Sequence, residues 1–181
     1  MSGEITMYQD SNLKIFKLFN QNKVKYVLIG VYAVDYYVKE PAQGFHTMDC
    51  DILVEPTPKN LLAVFQTLEK MGYELEVNKE PIVGIDLWLV NKIIEHQAVV
   101  TARKIDEMPI DIVLRGGKFS FKEWDKDKRI FSVEGVKVPV GNLSRLIRAK
   151  EHSNREKDRK FLELYKIQLK EILKAGKSNE K

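Results

Sequence analysis

Two aspartates, Asp49 and Asp51, stand two positions apart at the start of a short apolar run. Apolar residues at Cys50, Ile52 and Val54 alternate with them, and this alternation predicts a β-strand. Successive side chains of a strand point to opposite faces, so both carboxylates are expected on one face, roughly 7 Å apart along the strand. The chain must therefore fold so that two neighbouring negative charges face solvent or a cation.

A third aspartate, Asp111, interrupts a later strand-like segment at residues 109–114. Three carboxylates on two strands, without an obvious basic neighbour in the sequence, would repel one another, and a divalent cation would remove that repulsion. Oxygen ligands of this kind suit Mg²⁺, which proteins usually hold with one or two carboxylates together with substrate phosphates. The alternative is that all three acids are solvent-facing positions of a half-exposed sheet.

A glycine joins a strand predicted over residues 26–29 to a helix predicted over residues 31–39. The helix is predicted to end there because Pro41 follows. A strand that ends in Gly30 and leads into a helix lets backbone N–H groups face an anion at the helix N-terminus. Gly30 is therefore a candidate anion-binding position, and a simple turn is the alternative.

Helices and strands alternate along the rest of the first 140 residues, which is typical of an α/β or α+β chain. Helices are predicted over residues 11–22 and 58–71, the second because Thr57 can cap it and Pro58 suits its first position. Strands are predicted over residues 73–77, 85–90, 96–103 and 110–114, with a turn at 91–92. Residues 130–133 and 136–140 bracket Glu134 and Gly135 as a hairpin with a two-residue loop. Residues 119–128 fit no pattern.

The C-terminal part of the chain differs from the rest in charge. Residues 141–181 contain 12 Lys and Arg against 6 Asp and Glu, a net of +6, whereas residues 1–140 hold 18 against 20, a net of −2. Two helices are predicted here, over residues 143–152 and from Ser153 onwards, the second with a capping box from Ser153 to Glu156. We expect a core over residues 1–140 and a basic helical extension over 141–181 that neutralises an anionic ligand, a nucleic acid or the core itself.

Composition indicates a soluble globular protein, with 44% hydrophobic and 31% charged residues. No apolar run approaches the roughly 20 residues that a membrane span needs, and no signal-peptide pattern is recognisable at the N-terminus. A cytoplasmic location without membrane association is the resulting expectation. The one cysteine, Cys50, agrees with a reducing compartment, and on the strand face opposite the aspartates it is expected to be buried.

The order of these motifs resembles the nucleotidyltransferase superfamily related to DNA polymerase β, and its small bacterial and archaeal members in particular, including the abortive-infection toxin group. The resemblance is carried by the strand–glycine–helix junction, by Thr47-Met48-Asp49-Cys50-Asp51, by Pro109-Ile110-Asp111 and by the basic tail with Arg155-Glu156-Lys157-Asp158. It extends over residues 24–165. It implies an α/β fold with a mixed sheet flanked by helices and a C-terminal helical extension.

The resemblance also implies roles for particular residues. Asp49, Asp51 and Asp111 would be the catalytic residues and would hold two Mg²⁺ ions. The nucleotide-binding positions that it implies are Gly30, Thr47, Lys150, Arg155 and Lys157. The sequence departs from the family pattern at Val31, where glycine or serine is usual, and at Phe45, where toxin-like members often carry arginine.

Three functions are compatible with this resemblance. The first, which the basic tail favours, is Mg²⁺-dependent transfer of a nucleoside monophosphate from a nucleoside triphosphate (NTP) to a hydroxyl of RNA, tRNA or protein, in a toxin–antitoxin setting with an antitoxin partner. The second is the same transfer to a small molecule, as in antibiotic-modifying relatives. The third is a binding module that keeps the fold without turnover, which the departures at Val31 and Phe45 favour.

Overall fold

The computed structural model describes residues 12–38 and 44–178 of the chain. The helices in these ranges are α1 (Leu13–Gln21), α2 (Gly30–Asp35), α3 (Pro58–Lys70), α4 (Leu87–His96), α5 (Phe121–Lys126), α6 (Leu143–Ser153) and α7 (Glu156–Ser178). The strands are β1 (Tyr26–Ile29), β2 (Cys50–Val54), β3 (Glu74–Val77), β4 (Glu80–Pro81), β5 (Val100–Arg103), β6 (Ile110–Val113), β7 (Arg115–Gly116), β8 (Phe119–Ser120), β9 (Arg129–Val133) and β10 (Val136–Val140). This mixture of helices and strands confirms the predicted α/β class.

Eight of the described strands form one sheet in the order β4-β3-β5-β6-β2-β1-β10-β9. The pairs β1–β10 and β2–β6 are parallel, and the other pairs are antiparallel, so the sheet is mixed as predicted. Strands β7 and β8 form a separate small hairpin. The two strands that carry the aspartates, β2 and β6, are direct neighbours near the centre of the large sheet.

The core forms where the apolar side chains of the central strands meet the helices. Every residue of β1 is buried, and Cys50 is fully buried on β2, as its predicted orientation required. The buried Trp124 of α5 donates a hydrogen bond from Nε1 to the carbonyl oxygen of Gly116, at 3.1 Å. Phe45 is also buried and packs against Phe161 and Tyr165 of α7, with ring centroids 5.3 and 4.6 Å apart. The C-terminal helix is thus held by aromatic contacts from the core.

Several local predictions are confirmed. Helix α3 begins at Pro58 directly after Thr57, and β9 and β10 form the predicted hairpin. Both loop residues of that hairpin, Glu134 and Gly135, have positive φ (49° and 77°), as a primed two-residue turn requires. Helix α2 ends at Asp35, and the end of the longer predicted helix, at Lys39, lies outside the described residues.

The strand predicted over residues 85–90 is wrong, because most of that segment belongs to α4, which also contains the predicted turn at 91–92. Asp86 caps this helix: its side chain accepts a hydrogen bond from the backbone N–H of Leu89, at 2.8 Å. The alternation of Ile85, Leu87 and Leu89 resembled a strand, but Val90 and Ile93 are the residues that the helix buries. The segment predicted as a strand from residue 96 forms one only from Val100.

Two further local features differ from the sequence predictions. Residues 119–128, which fitted no pattern, contain β8 and α5, and Ser120 and Glu123 form a capping box at the start of α5. The capping box predicted from Ser153 to Glu156 is wrong, because Ser153 is the last residue of α6 and α7 begins at Glu156.

None of the helices in the described ranges combines the length and the apolar character needed to cross a membrane.

Candidate active site

The three predicted aspartates lie together. Asp51 on β2 and Asp111 on β6 are directly opposite each other in the parallel pair, so their side chains share one face of the sheet. Asp49 precedes β2 by one residue and lies on the same face by the period of two. All three line one cavity of about 750 Å³. The structure therefore brings together the acids that the sequence predicted as a group.

Asp51 is the most perturbed of these carboxylates. Burial raises the pKa of Asp51, and repulsion from Asp49 and then Asp111 raises it further, to about 6. Attraction to Lys150 and Lys157 acts in the opposite direction. Among the described residues no Lys, Arg or His forms an ion pair with any of the three aspartates. The site thus carries concentrated negative charge that no ion pair in the described chain compensates.

The carboxylates of Asp49 and Asp111 each accept a hydrogen bond from a threonine hydroxyl. Thr47 Oγ1 donates a hydrogen bond to Asp49 Oδ1 at 2.8 Å, and Thr101 Oγ1 donates one to Asp111 Oδ1 at 2.6 Å. Thr47 was predicted to contact the nucleotide, whereas Thr101 was not singled out in the sequence. Its position in the alternation of β5 placed it on the polar face, but only the pairing of β5 with β6 brings it to Asp111.

The donor set fits a hard divalent cation. Its ligands are carboxylate oxygens, which Mg²⁺ prefers. Burial and the neighbouring carboxylates of Asp49 and Asp111 raise the pKa of Asp51, and a cation bound beside it would favour the ionised form. No three acidic, His or Cys side chains of residues 12–38 and 44–178 already stand in a metal-coordinating arrangement. Two of the three aspartates point an oxygen at a threonine hydroxyl instead.

Gly30 lies directly against the acids. Its φ is +75°, and a Cβ atom built on it would stand 2.2 Å from Asp51 Oδ2. Glycine is therefore required both by the left-handed backbone and by the close approach of the carboxylate. The next residue, Val31, lines the cavity as well, so the family departure noted in the sequence lies at the site itself.

The predicted cationic residues form another part of the cavity wall, from the end of α6 to the start of α7. Lys150, Arg155 and Lys157 all line it. Lys150 Nζ donates a hydrogen bond to Asp158 Oδ1 at 3.0 Å and lies 4.8 Å from the ring centroid of Phe161. Arg155 Nε donates to Asp158 Oδ2 at 2.7 Å. Two of the three predicted phosphate ligands are thus paired with a carboxylate in this structure.

Asp158 is the centre of this junction, with only 1% of its surface exposed. Besides Lys150 and Arg155, the hydroxyl of Ser153 donates to Asp158 Oδ2 at 2.5 Å. Burial alone would raise the pKa of Asp158, but the hydrogen bonds from Ser153, Arg155 and Lys150 outweigh it and lower the pKa to about 2. The hydroxyl that was predicted to cap α7 therefore contributes to a buried ionic network between the two helices.

Comparison with known proteins supports the fold. No protein-family model matches the sequence, and no curated protein matches it significantly. The crystal structure of the lincosamide antibiotic adenylyltransferase LnuA with bound lincomycin matches with a TM-score of 0.59 at 21% sequence identity, over 92% of this chain and 98% of that one. An antigenic nucleotidyltransferase-like protein from Paracoccidioides brasiliensis matches with a TM-score of 0.46 at 13% identity, over 82% of this chain and 68% of that one. The first match shows that the chain has a nucleotidyltransferase fold, as its motifs predicted.

Proposed function

We propose that this protein is a Mg²⁺-dependent nucleotidyltransferase that transfers a nucleoside monophosphate from an NTP to a hydroxyl acceptor. The observation that carries the proposal is that one cavity is lined both by the three aspartates and by Lys150, Arg155 and Lys157. A triphosphate needs cations along its length, and the reacting phosphate needs oxygen ligands for a metal. On a nucleotidyltransferase fold, both requirements meet in this cavity.

The acceptor oxygen would form a bond to the α-phosphorus while the bond from that phosphorus to the bridging oxygen of the β-phosphate breaks. Pyrophosphate leaves with the electron pair, and Asp111 would accept the proton of the acceptor hydroxyl. Asp49, Asp51 and Asp111 would hold two Mg²⁺ ions, which supply positive charge to the attacking and leaving oxygens when bound. Gly30 allows the chain to pass against Asp51 without a side chain in between.

The cationic wall would bind the phosphates that leave. Lys150 supplies a compact positive charge whose stem is largely buried, since only 15% of its side chain is exposed. Arg155 and Lys157 are exposed at the rim of the cavity, where they can meet an incoming triphosphate. Phosphate oxygens would compete with Asp158 for Lys150 and Arg155, so we expect these ion pairs to rearrange when an NTP binds.

We propose a small molecule as the acceptor. A cavity of about 750 Å³ lies in the usual range of small-molecule sites. The structure with the same fold over nearly its whole length, LnuA, is an adenylyltransferase of a lincosamide antibiotic. Several cations of the C-terminal extension also form ion pairs within this protein, which occupies them in the absence of an anionic macromolecule; they are Arg145, Lys150, Arg155 and Lys160.

RNA, tRNA or protein is the second candidate acceptor, in a toxin–antitoxin setting with an antitoxin partner. The observation in its favour is the net charge of +6 on residues 141–181, which would attract an anionic macromolecule. A protein that uses an NTP as its substrate must be located where NTPs are present, and the cytoplasmic location expected from the sequence meets this requirement.

The test is a transfer assay with each α-³²P-labelled NTP and Mg²⁺, with tRNA, a protein extract and a panel of hydroxyl-bearing small molecules as separate acceptors. Asp49→Asn, Asp51→Asn and Asp111→Asn should each abolish labelling, whereas Asp106→Asn, which removes an exposed carboxylate outside the cavity, should retain it. Label on a small molecule selects the first acceptor class, and label on tRNA or protein selects the second. NTP binding without pyrophosphate release would overturn the enzymatic proposal and leave a binding module.

A further inference from the structure

Thr101 is the one described residue whose side chain donates a hydrogen bond to the Asp111 carboxylate. The distance from Thr101 Oγ1 to Asp111 Oδ1 is 2.6 Å, which is the length expected of a hydroxyl hydrogen bond to an ionised carboxylate. Thr101 and Asp111 are directly opposite each other in the antiparallel pair β5–β6. The contact is therefore fixed by the register of the sheet and not by a loop.

The same register continues to the next acid. Thr101, Asp111 and Asp51 occupy matching positions on the adjacent strands β5, β6 and β2, so the three side chains form one row on one face of the sheet. At one end of this row the Thr101 hydroxyl donates a hydrogen bond, and next to it the carboxylates of Asp111 and Asp51 are neighbours on adjacent strands. A threonine in a strand has a restricted χ1 angle, which makes its hydroxyl a well-defined donor.

The hydrogen bond leaves Asp111 with one oxygen held and one without a side-chain donor among the described residues. Rotation about χ2 of an aspartate is otherwise broad, so an unrestrained Asp111 would turn away from Asp51 to reduce the repulsion between them. Thr101 opposes this rotation because any such turn breaks a charge-assisted hydrogen bond in a half-buried site. The hydrogen bond thus restricts the orientation of the Asp111 carboxylate in the cavity that this residue lines.

We infer that Thr101 is a positioning residue that fixes the Asp111 carboxylate for metal binding and for acceptance of the acceptor proton. This inference rests on the proposed function, since it assigns Thr101 a role in that same site. Thr101 does not line the cavity and contacts neither proposed substrate, so its effect acts through Asp111 alone.

The test compares Thr101→Val, which keeps the shape and removes the hydroxyl, with Thr101→Ser, which keeps the hydroxyl. Mn²⁺ binding is measured by electron paramagnetic resonance of the free ion, independently of turnover. Loss of an outer hydrogen-bond partner of a metal ligand lowers metal affinity by about 10- to 100-fold, so we expect this loss in Thr101→Val. Recovery to within about threefold of the wild type is expected in Thr101→Ser, along with a fall in kcat but not in the KM for NTP in the valine variant.

Thr67→Val is the matched control. Thr67 Oγ1 also donates a short hydrogen bond, to the carbonyl oxygen of Ala63 at 2.6 Å, but it lies on α3, outside the cavity. We expect this control to lower Tm while leaving Mn²⁺ affinity and kcat unchanged.

The outcomes separate the two proposals. If the wild type binds Mn²⁺ and transfers nucleotide, and Thr101→Val does the same with equal affinity and kcat, the role of Thr101 is overturned while the proposed function stands. A serine variant as impaired as the valine variant would also overturn it, because the hydroxyl would then not be the cause. If the wild type neither binds Mn²⁺ nor transfers nucleotide, both proposals fall.

Discussion

Gly30 occupies the most crowded backbone position of the site, because a Cβ atom there would stand 2.2 Å from Asp51 Oδ2. We predict that Gly30→Ala displaces the Asp51 carboxylate and lowers nucleotide transfer by at least about 100-fold, since a misplacement of about 1 Å can have an effect of that size. The variant should also lose roughly 1–3 kcal/mol of stability from its strained backbone. Transfer rates and denaturant unfolding measure the two effects.

Gly135→Ala is the control for this prediction. Gly135 has nearly the same φ, +77° against +75°, but no atom lies within 4 Å of its built Cβ. Its alanine variant should therefore show the loss of stability without the loss of transfer. Equal transfer rates in the two variants would show that the approach of Gly30 to Asp51 is unimportant.

Asp51 carries an electrostatic cost in the metal-free protein, because its pKa is raised to about 6. A raised folded-state pKa contributes stability that is fully present below the unfolded-state value near pH 4 and is lost as the pH rises through 6. We predict that, without metal, the free energy of unfolding of Asp51→Asn at pH 7.5 exceeds that of the wild type by at most about 3 kcal/mol, so that its Tm is higher. The same variant should be inactive.

Thermal unfolding in a metal chelator at pH 7.5 and at about pH 3 tests this prediction. The difference between Asp51→Asn and the wild type should nearly disappear at about pH 3, which is below the pKa of Asp51 in both the folded and the unfolded chain. Asp106→Asn, at an exposed position, should leave Tm unchanged at both pH values. A variant less stable than the wild type at pH 7.5 would contradict the assigned repulsion.

At the scale of secondary-structure elements, the junction of α6 and α7 depends on Asp158. Its buried carboxylate accepts hydrogen bonds from Lys150, Arg155 and Ser153, and it lies in the first turn of α7, where negative charge is favourable. Lys150 comes from α6 and Arg155 from the link to α7, so one side chain connects the elements that form the cationic wall.

We predict that Asp158→Asn lowers the free energy of unfolding by roughly 3 kcal/mol, because it leaves buried Lys150 without a counterion. The pKa of Asp158 is lowered to about 2, so its ionic contribution is present above about pH 4 and is lost as the pH falls toward 2. Urea unfolding at pH 7 and at pH 3 should therefore show a smaller difference between variant and wild type at pH 3.

Glu156→Gln provides the comparison within the same helix turn. Glu156 pairs with Lys160 at 2.7 Å, but 73% of its side chain is exposed. An exposed pair of this kind contributes about 0.5 kcal/mol or less. If the Glu156 and Asp158 variants were equally stable, the buried network would not hold the two helices together.

In the fold as a unit, the acidic and cationic parts of the cavity wall come from segments that are far apart in the sequence. The acids lie on β2 and β6, and the cations lie at the junction of α6 and α7. A ligand that contacts both walls links the sheet to the C-terminal helices and should stabilise the entire fold.

We predict that the preferred NTP and Mg²⁺ together raise Tm more than either alone. At a hundredfold excess over Kd, bound ligand adds about 2.7 kcal/mol, which for a chain of this length corresponds to roughly 5–10 °C. A thermal-shift assay with each NTP, with and without Mg²⁺, measures this change. The Asp111→Asn variant should lose the part of the shift that depends on Mg²⁺, and no shift with any NTP would contradict nucleotide binding in the cavity.

The sequence alone determined the features that follow from local periodicity. The alternation in β2 placed Asp49 and Asp51 on one face and Cys50 on the other, and the loop residues of β9–β10 defined a hairpin. These features were predictable because the two-residue period of a strand and the φ preferences of turn residues are properties of a few neighbouring residues. The same reasoning failed for α4, where alternating apolar residues concealed a helix that Asp86 caps.

Only the tertiary structure decided which distant residues meet. The pairing of β6 with β2 puts Asp111 beside Asp51, and the pairing of β5 with β6 brings Thr101 to Asp111. The burial of Asp158 likewise places Lys150, which the sequence predicts only as a nucleotide-binding cation, in an ionic network. Strand order, register and burial depend on how the whole chain packs around its core, and no short stretch of sequence encodes that packing.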